Sequence, residues 1–169
     1  MMDTFKFPDF LCFQPFEILK QGRDVLFGYF RHIYNSKRSR DLILIDMRLE
    51  KIDVNFHELT ALTALELSGN LITELPIGIL LLTNLTVLKA PGNNLINIVE
   101  SGNLAPLSKL VLLNLKDNCI SVLNDSFSKL YNLKEINLRQ NKLESVVSSI
   151  RHCSQLIRLN ILGMKNVSV

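Results

Sequence analysis

A motif of the form L-x-x-L-x-L-x-x-N-x-L returns along this chain at nearly even intervals. Its clearest copies run Leu62, Leu65, Leu67, Asn70, Ile72, then Leu85, Leu88, Ala90, Asn93, Leu95. Two more follow as Leu110, Leu113, Leu115, Asn118, Ile120 and Leu133, Ile136, Leu138, Asn141, Leu143. A degenerate copy precedes them (Leu42, Ile45, Met47, Glu50, Ile52) and a broken one ends the series (Leu156, Leu159, Ile161). First positions at 42, 62, 85, 110, 133 and 156 give steps of 20, 23, 25, 23 and 23 residues. A period in this range means a stack of similar units, none able to bury its own leucines, so each is stable only against its neighbours. The usual product of such a stack is an extended binding surface.

The last two leucines of L-x-x-L-x-L alternate with one exposed residue, which predicts a short strand with one buried face. The N-x-L that follows turns the chain off that strand, and asparagine suits the turn because its amide both donates and accepts. Stacked, Asn70, Asn93, Asn118 and Asn141 should form a ladder that satisfies backbone groups buried by the turn. Glu50 and Met164 take the same slot in the end repeats, so the ladder is expected to fray there. The second half of each repeat spaces its apolar residues by three or four, as in Leu75, Ile79, Leu82 and Leu123, Phe127, Leu130. That spacing predicts short helical or 3₁₀ segments on the convex side, with Pro76 opening one of them. The two extra residues of the 25-residue step are expected in a loop at 100–103.

Ahead of the repeats, residues 15–34 read as an amphipathic helix with Leu19, Leu26, Phe30 and Ile33 near one stripe. It should cap the first repeat; the alternative is a partner-binding helix displaying Phe27, Tyr29 and Phe30. The expected division is an N-terminal segment of little order at 1–14, a capping helix and basic linker at 15–40, and a repeat domain at 41–169. Architecture follows as α/β: a right-handed solenoid with a parallel concave sheet and short convex helical or 3₁₀ segments.

With 47% hydrophobic residues the chain has ample material for a continuous core. Nineteen basic against sixteen acidic residues leave a net charge of only +3, too little for a polyanion binder. Cys12, Cys119 and Cys153 are odd in number and widely spaced, which points to a reducing, cytoplasmic setting, with the nucleus as alternative. The first sixteen residues lack the order of a secretory signal, and no apolar run reaches the length of a membrane span. N-x-S/T triplets at Asn84, Asn124 and Asn166 carry no weight without export.

Nothing assembles into a catalytic, cofactor or metal site. His32, His57 and His152 are far apart, and no phosphate-binding glycine motif occurs. Arg31, His32, Lys37, Arg38 and Arg40 form a basic cluster whose plain reading is a solvated linker; an anionic membrane surface or nuclear import are the alternatives.

Residues 41–161 resemble the leucine-rich-repeat family. Within them, Leu75-Pro76-x-x-Ile79-x-x-Leu82-x-x-Leu85 resembles the intracellular 23-residue class of the Ras-group proteins, which implies an adaptor or scaffold that binds proteins. Pro15-Phe16-Glu17-Ile18-x-x-Gln21-Gly22-x-x-x-Leu26-x-x-Tyr29-Phe30 looks like the segment closing one repeat block in long intracellular members. That second resemblance implies a piece of a longer array.

Repeat phasing sets three columns on the concave face. The first reads Leu44, Ala64, Val87, Leu112, Glu135, Arg158; the second Asp46, Glu66, Lys89, Asn114, Asn137, Asn160; the third Arg48, Ser68, Pro91, Lys116, Arg139, Leu162. The charges nearly cancel, which argues against nucleic acid and for a folded protein partner. An apolar stripe beside polar, charged residues resembles the anatomy of a protein interface. The expected contact residues are Val87, Lys89, Leu112, Asn114, Lys116, Glu135, Asn137 and Arg139. Six strands about 4.8 Å apart and four residues across give roughly 300 Å², short of the roughly 800 Å² per partner of a standard interface. Strong binding would then need the rims, the N-terminal helix or further repeats. The function expected is non-catalytic protein recognition; a regulatory piece of a larger kinase or GTPase, or a peripheral membrane module using Arg31, Lys37, Arg38 and Arg40, are the alternatives.

Overall fold

The structure is a computed structural model that describes residues 16–98, 103–123, 125–143, 150 and 152–163. Two helices lead the chain, α1 (Phe16–Leu19) and α2 (Arg23–Ser39). Six three-residue strands follow: β1 (Asp41–Ile43), β2 (Ala64–Glu66), β3 (Val87–Lys89), β4 (Leu112–Asn114), β5 (Glu135–Asn137) and β6 (Arg158–Asn160). They form one parallel sheet in sequence order. The first four crossovers carry their convex segments as 3₁₀ turns, at Phe56–Glu58, Ile77–Leu81, Ala105–Leu107 and Asp125–Lys129. Pro76 caps the second of these, its carbonyl accepting the Ile79 N–H at 3.0 Å. This is the α/β leucine-rich solenoid the repeat predicts. The expectation for residues 1–14 lies outside the described residues, as do those for Glu100, Ser101, Gly102 and Met164.

The core is a single column of leucines between sheet and convex turns. Leu65, Leu88, Leu113 and Ile136 at the strand centres are fully buried, as are Leu67, Ala90, Leu115 and Leu138 after them. Phe127, in the convex turn Asp125–Lys129, is fully buried. Burial of the adjoining Cys153 pushes its thiol upward in pKa, and its Sγ lies 3.3 Å from the Phe127 carbonyl.

The first repeat stands in a different register from the one expected. Leu42 pairs with Leu65 and Asp41 with Ala64, so Leu42 is the central strand leucine and not the opening one. The step between these repeats is therefore 23 residues. Leu44 is a fully buried core residue, and Met47, not Glu50, takes the slot of Asn70. The concave residues of this repeat are Asp41, Ile43 and Ile45 in place of Leu44, Asp46 and Arg48.

One backbone feature repeats with the same period. The residue before each ladder asparagine position is left-handed: Asp46, Gly69, Gly92, Asp117, Gln140 and Gly163 have φ between 53° and 82°. The turn imposes this, because from Asp46 to Gln140 these N–H groups reach the next repeat, as in Gly69 to the Pro91 carbonyl and Gln140 to the Leu162 carbonyl, both 3.0 Å. Gly69 has a second reason to be glycine, since a Cβ there would lie 1.8 Å from Asp46 Oδ1. Side-chain residues in this region cost roughly 1–2 kcal/mol. Gln140→Gly is thus expected to stabilise the chain by about 0.5–1 kcal/mol, read as a higher urea midpoint at unchanged slope.

The N-terminal helix caps the stack, with corrections. The chain breaks at 20–22, where Gly22 has φ 103°. Ile18 is then fully buried and Leu19 is 40% exposed, the reverse of the expected stripe. Residues 35–39 are the last turn of α2 and not a linker. Arg40, left-handed, ends the helix and its carbonyl accepts the Thr63 N–H at 2.8 Å, so the helix runs straight into the sheet. Tyr29 is fully buried and its hydroxyl donates to the Asp53 carbonyl at 3.1 Å.

Candidate protein-binding surface

Two asparagine systems hold the concave side in shape. In the expected ladder, each amide reaches back into the preceding repeat. Asn70 accepts the N–H groups of Met47 and Leu49 at 3.0 Å and donates to the Leu44 carbonyl at 2.7 Å and Leu67 carbonyl at 2.9 Å. Asn93 accepts from Ile72 and donates to Leu67 and Ala90; Asn141 accepts from Ile120 and donates to Leu115 and Leu138. The first turn has no asparagine of its own. Gln21 of the cap reaches this turn instead, donating to the Met47 carbonyl at 2.8 Å.

The second system was missed by the repeat analysis. Beyond β1 to β5 the N–H groups that face the following repeat are those of the first and third residues, such as Leu115 and Asp117. The residue between them is left without a ladder partner. Asn114 Oδ1 accepts that N–H from Lys116 at 3.2 Å, Asn137 accepts it from Arg139 at 3.1 Å, and Asn160 from Leu162 at 3.3 Å. In the third repeat the position is Pro91, which has no N–H to satisfy. The signal is legible as N-x-K, N-x-R, N-x-L against K-x-P at one repeat position.

The eight expected contact residues all lie on the concave face, β3 to β5 and their immediate C-terminal flank. Val87 and Leu112 pair directly in register and are half-buried. Most of the charges have local partners. Lys89 meets its cross-strand neighbour Glu66 at 3.4 Å, Glu135 meets Arg158 at 2.6 Å, and Lys116 meets Asp117 at 3.1 Å. Arg139 is exposed and has no ionic partner among the described residues. At the first repeat the face carries exposed apolar residues beside Asp41, with Ile43 and Ile45 45% and 42% exposed.

Other candidates stay apart from this surface. His57 follows β1 and His152 follows β5, leaving them four repeats apart. Among the described residues no cluster of His, Cys, Asp and Glu could hold a metal ion. Of the basic cluster, Lys37 pairs with Glu58, and that hydrogen bond lowers the Glu58 pKa. Asn84 is engaged between repeats, donating to the Thr60 carbonyl at 3.1 Å and accepting from Lys109 at 2.7 Å. No helix among the described residues is long and apolar enough to cross a membrane.

Solved structures carry the same architecture. The ectodomain of the Arabidopsis thaliana receptor kinase SOBIR1, a leucine-rich-repeat domain, superposes with a TM-score of 0.62 at 24% identity, over 75% of this chain and 70% of that one. Internalin C2 of Listeria monocytogenes superposes at 0.58 with 32% identity, over 73% of this chain and 51% of its own. This chain is a leucine-rich-repeat protein. A further Listeria monocytogenes internalin, inlF, matches at 0.53 and 17% identity over 75% of this chain. The leucine-rich-repeat chain spans 40% of that internalin and 51% of internalin C2. No family model and no curated protein matches the sequence.

Proposed function

We propose that this leucine-rich-repeat chain is a non-catalytic recognition module, an adaptor or scaffold of a reducing cytoplasmic compartment, that binds a protein partner on its concave face. One observation carries the reading. The concave sheet holds chemically mixed side chains in fixed columns, and among them Arg139 stands exposed without a local counter-ion among the described residues. A rigid, preorganised face with an apolar patch (Val87, Leu112) beside charged residues binds without first paying an ordering entropy. Contact is assigned to Val87, Lys89, Leu112, Asn114, Lys116, Glu135, Asn137 and Arg139. Free Cys119 and Cys153 agree with a reducing setting.

Comparative affinity capture with the native chain and the Lys116→Glu/Arg139→Glu variant tests this. Loss of the captured partner is expected, because reversing interface charges costs several kcal/mol. The melting temperature should hold, since Lys116 gives up only an exposed pair with Asp117 worth about 0–1 kcal/mol. Identical capture by both chains would overturn the assignment.

A further inference from the structure

The hydrogen bonding of the concave face specifies the chemistry of what it can bind. Asn114, Asn137 and Asn160 stand in register on β4, β5 and β6. Each commits its Oδ1 to the backbone N–H two residues on. A backbone N–H can be met only by the amide oxygen, so the orientation of all three side chains is fixed and the NH₂ group is left over. Among the described residues none of these NH₂ groups has an acceptor, and none is buried without one. The three amides therefore offer donors only, repeated at the strand spacing of about 4.8 Å.

Charge points the same way. Lys116 and Arg139 follow two of these asparagines. Lys116 pairs with Asp117 and Arg158 with Glu135, which leaves Arg139 uncompensated among the described residues.

Resting on the concave-face reading above, we propose that the β4–β6 half of this face binds an acidic segment of the protein partner. Carboxylates of that segment take the amide donors of Asn114, Asn137 and Asn160, with Arg139 supplying the charge. Backbone carbonyls of an extended segment fit less well. On one side of such a chain they recur about every 6.7 Å, and fall out of step with donors about 4.8 Å apart within two strands. Flexible carboxylate side chains do not have this constraint. A continuous phosphate backbone would meet Asp117 and Glu135 inside the patch, where it gains no counter-ion release.

The test uses the full chain and a fluorescein-labelled peptide of about ten residues alternating Glu and Gly, long enough at about 3.3 Å per residue to cross the sheet. Its Gln-for-Glu counterpart and an oligonucleotide of equal charge serve as controls. Anisotropy should show binding of the Glu peptide alone. The Asn114→Asp/Asn137→Asp variant keeps an oxygen for the Lys116 and Arg139 N–H groups and replaces each outward donor by an acceptor. It should lose about tenfold or more in affinity with an unchanged melting temperature, and Arg139→Gln should lose affinity independently. Equal binding of the Gln peptide, stronger binding of the oligonucleotide, or undiminished binding by the double variant would overturn the proposal. If the Glu peptide fails while Lys116→Glu/Arg139→Glu still loses a captured partner, only the acidic assignment falls. If both fail, the concave reading falls with it.

Discussion

Asn118→Ala is expected to destabilise the chain by about 3 kcal/mol, a large part of the 5–15 kcal/mol of an ordinary domain. The Asn118 amide accepts the Leu95 N–H at 3.0 Å and donates to the carbonyls of Ala90 at 2.9 Å and Leu115 at 3.0 Å. Removing it leaves the Leu95 N–H without its acceptor in a buried turn, at about 1–3 kcal/mol. Each carbonyl keeps one other donor, Asn93 at 3.2 Å and Asn141 at 2.8 Å, so their loss is partial. A void in place of the amide adds to the cost. Asn118→Asp discriminates the donor and acceptor roles. Its carboxylate can accept from Leu95 but would face the carbonyl oxygens that Nδ2 now contacts, so at neutral pH it should be worse than alanine. Protonation restores a donor, so that deficit should shrink as pH falls through the carboxylate range. Urea unfolding of both variants at neutral and acid pH measures this; a loss below about 1 kcal/mol for alanine would mean that water replaces the amide.

Most of the architecture was legible because the repeat states it several times over. Leu65, Leu88, Leu113 and Ile136 occupy the same strand position, so an error in one copy is corrected by the next. The first repeat had no such protection. Its run Leu42-Ile43-Leu44-Ile45 satisfies the leucine template in two registers, and Met47 supplies no asparagine to choose between them. The true opening position falls at Ser39, where α2 stands in place of a leucine, so the pattern could not be anchored there. The left-handed turn residue would have decided it: Asp46 lies 23 residues before Gly69, as Gly69 does before Gly92.

The cap misled for a related reason. A helix read as continuous from residue 15 carries the phase of Leu26, Phe30 and Ile33 back to Leu19. The break at 20–22 resets that phase and buries Ile18. The concave site was legible in its columns but not in its bonding. That Asn114 and Asn137 spend their oxygens on the backbone follows from the strand-to-turn geometry, which no single residue type announces.

Tyr29→Ala is the second large effect expected, at about 3–5 kcal/mol. Tyr29 is fully buried, with its ring against the core that β1 would otherwise leave open. Its loss should also loosen α2, because Ile33 and the buried Ser36 pack along the same face. Tyr29→Phe removes only the hydroxyl bond to the Asp53 carbonyl and should cost about 1 kcal/mol. This pair separates capping from display. If α2 served to show Phe27, Tyr29 and Phe30 to a partner, alanine at 29 would weaken binding and leave unfolding unchanged. As a cap, it should lower the melting temperature and reduce the helical circular dichroism signal, while partner capture at temperatures where the chain stays folded is unaltered. Phe27, 49% exposed on the opposite side, supplies the control: Phe27→Ala should leave stability within about 0.5 kcal/mol. A stability loss at 27 equal to that at 29 would mean the helix is held by both faces.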